Sequence, residues 1–128
     1  MATELPGLDL SMTVGSDLSA KQFYLVKLSA ARTVALASAA ADAVIGVLQD
    51  KPAASGRAAL VRVHGLSKVV AGGTIAAGDR LTSDTAGKAI VQAASAGVNN
   101  GIVGIAVEAA VASDIFTAFI NPHSYQGA

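Results

Sequence analysis

The chain has 128 residues, enough for one buried core and too few for two independent catalytic domains. Nine Lys and Arg balance nine Asp and Glu, so the basic excess that neutralises phosphates is missing and no nucleic acid is expected as a partner. Cysteine is absent, which excludes a disulfide framework and thiolate metal sites, and 52% hydrophobic against 14% charged residues suggests that another chain covers part of the surface.

Residues 1–20 differ from the rest. They carry Pro6, Gly7 and Gly15 among scattered apolar side chains, and from Leu8 to Val14 every second residue is apolar, the spacing of an extended strand with one apolar face. This segment reads as an extended N-terminal arm. Burying its apolar side chains barely offsets the entropy of ordering it, so the arm is expected to add as a strand to a neighbouring sheet and to be mobile in the free protein. The opening lacks a basic segment followed by an apolar one, and no apolar run reaches about 18 residues. Neither a signal peptide nor a membrane span is expected, and synthesis in the cytosol is.

From Phe23 the pattern becomes short strands cut by turns: Phe23 to Leu28, Thr33 to Ala37, Ala43 to Gln49, Ala59 to Val63, and Leu66 to Val70 after a break at His64-Gly65. The alanine-rich stretch from Ala37 to Val44 is too short for a stable helix and predicts a single turn. Gly72 and Gly73 end the fifth run. Strands then follow at Arg80 to Ser83, Lys88 to Gln92, Ile102 to Val107 and Ile115 to Ile120, separated by the turn Asp84 to Gly87 and a Gly/Asn loop reaching Gly101. Such spacing indicates a sandwich or barrel. A weak repeat of roughly 56–58 residues aligns Leu25 with Leu81, Val34 with Ile90, and Val44 to Val47 with Ile102 to Ile105.

No chemistry stands out. The string Gly73-Thr-Ile-Ala-Ala-Gly78-Asp79-Arg80-Leu-Thr82 outlines a phosphate-binding loop, but Asp79 replaces the essential lysine and a strand follows where a helix is needed. Gly72, Gly73, Gly78, Asp84 and Gly87 are therefore assigned to turn geometry, and the Thr82 hydroxyl to solvent or a neighbour. His64 and His123 have no companion ligands, so no metal or cofactor is expected. No serine lies in a nucleophile elbow. Glu108 is the carboxylate placed to pair with Arg62 or Arg80.

The strings IGVLQDKPAASG, GLSKVVAGGTIAAGDRLTSDTAGKA and GIAVEAA followed by DI, in this order and spacing, resemble the small capsid cement, or head decoration, proteins of tailed phages. The resemblance, which runs from Lys21, implies a non-enzymatic, all-β, barrel- or sandwich-like domain of the β-tulip type over residues 21–122; the arm before it and a tail at 123–128 are read from the residues, the arm being the part that departs most from the family. It further implies docking on the outer surface of a mature capsid, against the major capsid protein, as a homotrimer at three-fold or quasi-three-fold sites that resists the pressure of packed DNA. Leu5, Leu8, Leu10, Met12 and Val14 of the arm are the expected capsid-binding side chains. A tail- or fibre-associated β module and a small ligand-binding β domain are the alternatives, the latter disfavoured by the lack of an aromatic stacking platform.

Overall fold

Residues 2–93 and 99–126 are described by a computed structural model, and every regular element among them is a strand. In chain order these are β1 (Leu5–Val14), β2 (Leu25–Ala30), β3 (Thr33–Leu36), β4 (Val44–Leu48), β5 (Ala58–Val70), β6 (Arg80–Ser83), β7 (Ala89–Val91), β8 (Asn99–Ala106) and β9 (Ile115–Gln126).

The strands form one sheet that closes on itself. β1 runs antiparallel to β5 from Leu5↔Leu66 to Thr13↔Ala58, and its last two residues pair parallel with β3 at Thr13↔Thr33 and Val14↔Val34. Antiparallel pairings β3–β2, β2–β4 and β4–β5 complete a five-strand ring. Beyond Gly65, β5 pairs with β9, and the sheet continues through β8 and β6 to β7. A parallel bridge, Ala71↔Ala89, brings β7 back to the end of β5. Closure hides most backbone edges that would otherwise invite uncontrolled pairing.

The second ring repeats the first. Val26↔Gly46 becomes Leu81↔Gly104; Leu48↔Val61 becomes Ala106↔Ala118; Met12↔Ala59 becomes Val69↔Phe116; and Val14↔Val34 becomes Ala71↔Ala89. The fold is thus two copies of one unit displaced by about 55–58 residues, with β5 the last strand of the first copy and the first strand of the second. The expected match of Val44–Val47 with Ile102–Ile105 holds. Those of Leu25 with Leu81 and Val34 with Ile90 slip by one residue, to Val26/Leu81 and Val34/Ala89.

Loops repeat as faithfully as strands. The Phe23 N–H donates to the Leu48 carbonyl at 2.7 Å, and the Gly78 N–H to the Ala106 carbonyl at 2.8 Å; both residues have positive φ, 70° and 92°. The Leu60 N–H donates to the Asp50 carboxylate, and the Thr117 N–H to that of Glu108.

Each unit has its own core at matching positions. Val14, Leu18, Val26, Val34, Leu48, Ala59 and Val61 fill the first, and Ala71, Ile75, Leu81, Ala89, Ala106, Phe116 and Ala118 fill the second. Volumes are redistributed, Leu48 giving way to Ala106 while Ala59 becomes Phe116, which keeps each interior filled. Leu25, Ala37, Val44 and Val47 from the outside of the first unit join the second core and bind the two together. At Gly46 and Gly104, a Cβ would collide with the carbonyls of Arg62 and Phe119 respectively, so close strand contact requires glycine at both.

Several expected boundaries move. β5 passes straight through His64-Gly65, because Gly65 adopts φ 117° and register shifts in β1 absorb the irregularity. β8 starts at Asn99, inside the expected loop, and pairs with β9 through Asn99↔Gln126, so the backbone of 123–126 belongs to the sheet and is not a separate tail. The stretch 37–44 contains a turn closed by the Asp42 N–H on the Ala39 carbonyl. The middle of the Gly/Asn loop, 94–98, the Tyr125 side chain and residues 127–128 lie outside the described residues.

Candidate docking surface

The arm is a strand of its own chain's sheet. The strand addition is made within the chain, to β5, and not to a neighbouring sheet; there the apolar side of β1 finds a core half-built by Ala59 and Val61. Val14 is 1% exposed within that core, and Met12 packs against it. Val14 is therefore not available to a partner, which corrects its assignment to capsid binding, and Met12 is half-buried with one side already spent on the core. Leu10, Leu8 and Leu5 are progressively more exposed, at 38%, 53% and 65%, as β1 runs off the end of the first core.

Asp9 anchors this half of the strand. Its carboxylate accepts two bonds from Arg62, which is itself buried. The expected pairing of Arg62 with Glu108 is therefore not made; Glu108 accepts the Thr117 N–H at 2.9 Å, and that bond holds its carboxyl below the usual range.

Directly opposed residues in antiparallel strands put their side chains on one face. Leu5↔Leu66, Leu66↔Phe119 and Phe119↔Ile105 therefore form a row across β1, β5, β9 and β8. Leu8 lies opposite His64, whose ring meets Phe119 edge-on with centroids 5.4 Å apart. Phe119 and Ile105 are 38% and 40% exposed, and Ile115 and Val107 extend the apolar surface beyond them. The result is an outward-facing stripe of large apolar side chains, a feature that marks interaction sites. Sequence reading found its β1 end and missed Leu66, Ile105 and Phe119, because alternation within a strand does not reveal which strands lie side by side.

The turn residues sit at strand junctions. The Asp84 carboxylate accepts the N–H groups of Ala86 and Lys88 across the β6–β7 hairpin; Gly87 has φ 83° in the same turn. The Gly72 N–H donates to the Ala89 carbonyl, and Gly73 follows it before β6. Asp79 accepts the Ala76 N–H, a turn role. Thr82 does not face solvent: it is 1% exposed, and its hydroxyl lies 3.1 Å and 2.8 Å from the Ala40 and Gly101 carbonyls at the junction of the units. His123 Nδ1 bonds the Asn121 carbonyl. Among the described residues no group of three or more His, Asp or Glu side chains could hold a metal ion, and no helix is long and apolar enough to cross a membrane.

The profile of phage cement proteins matches residues 2–120. This chain belongs to the phage cement protein family. Membership gives this cement protein a structural role associated with the phage capsid. Its fold is similar to that in a crystal structure of the head fiber gp8.5 N base of bacteriophage phi29, with TM-score 0.62 and 20% identity over 88% of this chain and 92% of that one. No curated protein sequence matches it.

Proposed function

We propose that this cement protein docks on the exterior of a mature tailed-phage capsid, against the major capsid protein, through the stripe running from Leu5 and Leu8 over Leu66 to Phe119. It acts there as a homotrimer at three-fold or quasi-three-fold sites, supporting the shell against internal DNA pressure. The exposed apolar row from Leu5 over Leu66 to Phe119, across β1, β5 and β9, carries the reading, because a lone domain gains nothing from leaving such side chains in water. Three stripes on one trimer make every contact after the first intramolecular, so modest single contacts give firm attachment. No catalytic step enters this role.

The test is to mix the purified protein with DNA-free expanded heads of the parent phage, pellet them and count bound copies. Saturation at a multiple of the three-fold sites, with binding lost in Leu8→Asp, supports the assignment; absence of binding overturns it. A second reading, the base of a head-attached fibre, draws on the fold shared with the phi29 head fiber base. Copy numbers far below the count of three-fold sites favour it.

A further inference from the structure

The internal repeat identifies a surface that is covered in the first unit and bare in the second. In the first unit, the tip of the β6–β7 hairpin packs on β2 and β3. The Leu25 N–H donates to the Gly87 carbonyl at 2.8 Å, and a Cβ at Gly87 would lie 3.3 Å from the Leu25 and Ala37 carbonyls and from Leu36. Val47, beside Leu25 across β2–β4, is fully buried.

The matching positions on the second unit are Val91 for Leu36, Gln92 for Ala37 and Ile105 for Val47. Val91 and Ile105 are 37% and 40% exposed. Gln92 carries a buried amide nitrogen, Nε2, with no hydrogen-bond partner among the described residues, a costly arrangement in place of the apolar Ala37.

The surface that would cover these positions is only partly free: the Arg32 carbonyl already accepts the Thr13 N–H at 2.9 Å and the Arg32 guanidinium donates to the Ser11 carbonyl, while Leu28 beside them is left exposed. The counterpart of the β6–β7 hairpin is the β2–β3 hairpin, in which Arg32 takes the place of Gly87 and shares its positive φ, 53° against 83°. Leu28 there is 50% exposed, whereas its counterpart Ser83 is 1% exposed. Two ends of one repeating arrangement, each with unburied apolar side chains, are complementary by the step that joins the units internally.

The geometry points to head-to-tail self-association: the Val91–Gln92–Ile105 face of one copy receives the Leu28–Arg32 hairpin of a second copy, as β2 and β3 receive the Gly87 hairpin within the chain. Val91 is shorter than Leu36 and eases the one side-chain contact, whereas the two carbonyl contacts made by Leu25 and Ala37 at the Gly87 site have counterparts in Arg80 and Gln92, which must shift by a few tenths of an ångström to admit the Arg32 Cβ. The contact joins unlike surfaces, so it must close into a ring or grow into a filament. This inference rests on the self-association in the proposed function and supplies its contact surface.

The test is sedimentation of the full chain and of two variants, Ile105→Asp and Leu28→Asp, with circular dichroism confirming that each folds. Expected are an oligomer for the wild type, at least tenfold weaker self-association for each variant alone, and a one-to-one dimer when the variants are mixed, since each keeps the half the other lost. A monomeric wild type, variants that associate unchanged, or a mixture that stays monomeric overturns the proposal. A second measurement needs neither aspartate variant: the chain has no cysteine, so Arg32→Cys with Val91→Cys in one chain should give disulfide-linked oligomers beyond dimers on oxidation, and their absence counts against the contact. Head pelleting separates the two claims: head binding without head-to-tail contact sinks this inference alone, and head-to-tail contact without head binding sinks the cement assignment.

Discussion

Arg62 grips Asp9 with two parallel bonds, Nε to Oδ1 at 2.8 Å and Nη2 to Oδ2 at 3.0 Å, while its Nη1 donates to the Leu66 carbonyl at 3.0 Å. The pair lies where β1 leaves the first core, so it decides whether the exposed end of the strand, with Leu5 and Leu8, is held in the sheet. The Arg62 side chain is 6% exposed and that of Asp9 21%. Removing the carboxylate strands a buried guanidinium, which costs more than the pair itself contributes. Asp9→Ala is expected to cost about 2–4 kcal/mol in urea unfolding and to speed hydrogen exchange in β1. A loss below about 0.5 kcal/mol, the level of an exposed pair, contradicts this role.

The close strand contacts at Gly46 and Gly104 are backbone against backbone, with no flexible side chain to yield. Gly46→Ala and Gly104→Ala should each cost more than about 3 kcal/mol or prevent folding, as overpacking at an immovable neighbour does. At Gly73 a Cβ meets only Ile90, at 3.9 Å, so Gly73→Ala should change stability by less than about 1 kcal/mol. Thermal melts of the three variants check the contrast.

Gly56 and Ser113 occupy equivalent turns: their N–H groups donate to the Val14 and Ala71 carbonyls and their φ angles are 84° and 73°. Serine is strained there and glycine is not. Ser113→Gly should therefore raise stability by about 0.5–1 kcal/mol, although it also loosens the unfolded chain; a loss of stability would mean that the two turns are not equivalent.

Asp42 gathers the loop between β3 and β4. Its carboxylate accepts the Ser38 and Ala39 N–H groups and the Lys27 ammonium, and the Ser38 bond first, then Lys27, hold its pKa below the usual 3.8. A depressed carboxyl stabilises the fold above its unfolded value and loses that effect as pH falls through the folded one. The stability gap between wild type and Asp42→Asn should be full at neutral pH and shrink as pH drops below about 4. Melts at a series of pH values test this; a gap that does not vary with pH rules it out.

Much of this architecture was legible in the sequence. Strand spacing, the turn at Asp84–Gly87 and the repeat around Val44–Val47 and Ile102–Ile105 rest on local chemistry that a sequence displays directly. Registers were not legible: in a chain rich in alanine and valine, a one-residue slip between Leu25 and Val26 leaves the apolar pattern intact. The continuity of β5 was hidden because Gly65 looks like a break yet serves as an irregular strand residue. The fate of Val14 and Met12 was hidden for a related reason, since an apolar strand face looks the same whether it fills its own core or another protein's. The docking stripe depends on Leu5, Leu66 and Phe119 meeting across β1, β5 and β9, strands far apart in the chain, and only pairing brings them together.

The most direct test of the cement assignment is a cryo-electron microscopy reconstruction of expanded heads saturated with the protein. The account predicts added density on the outer surface at three-fold or quasi-three-fold positions, with the Leu5–Leu66–Phe119 stripe turned toward the major capsid protein. Heads without added density, or a bound protein with that stripe facing solvent, would contradict it.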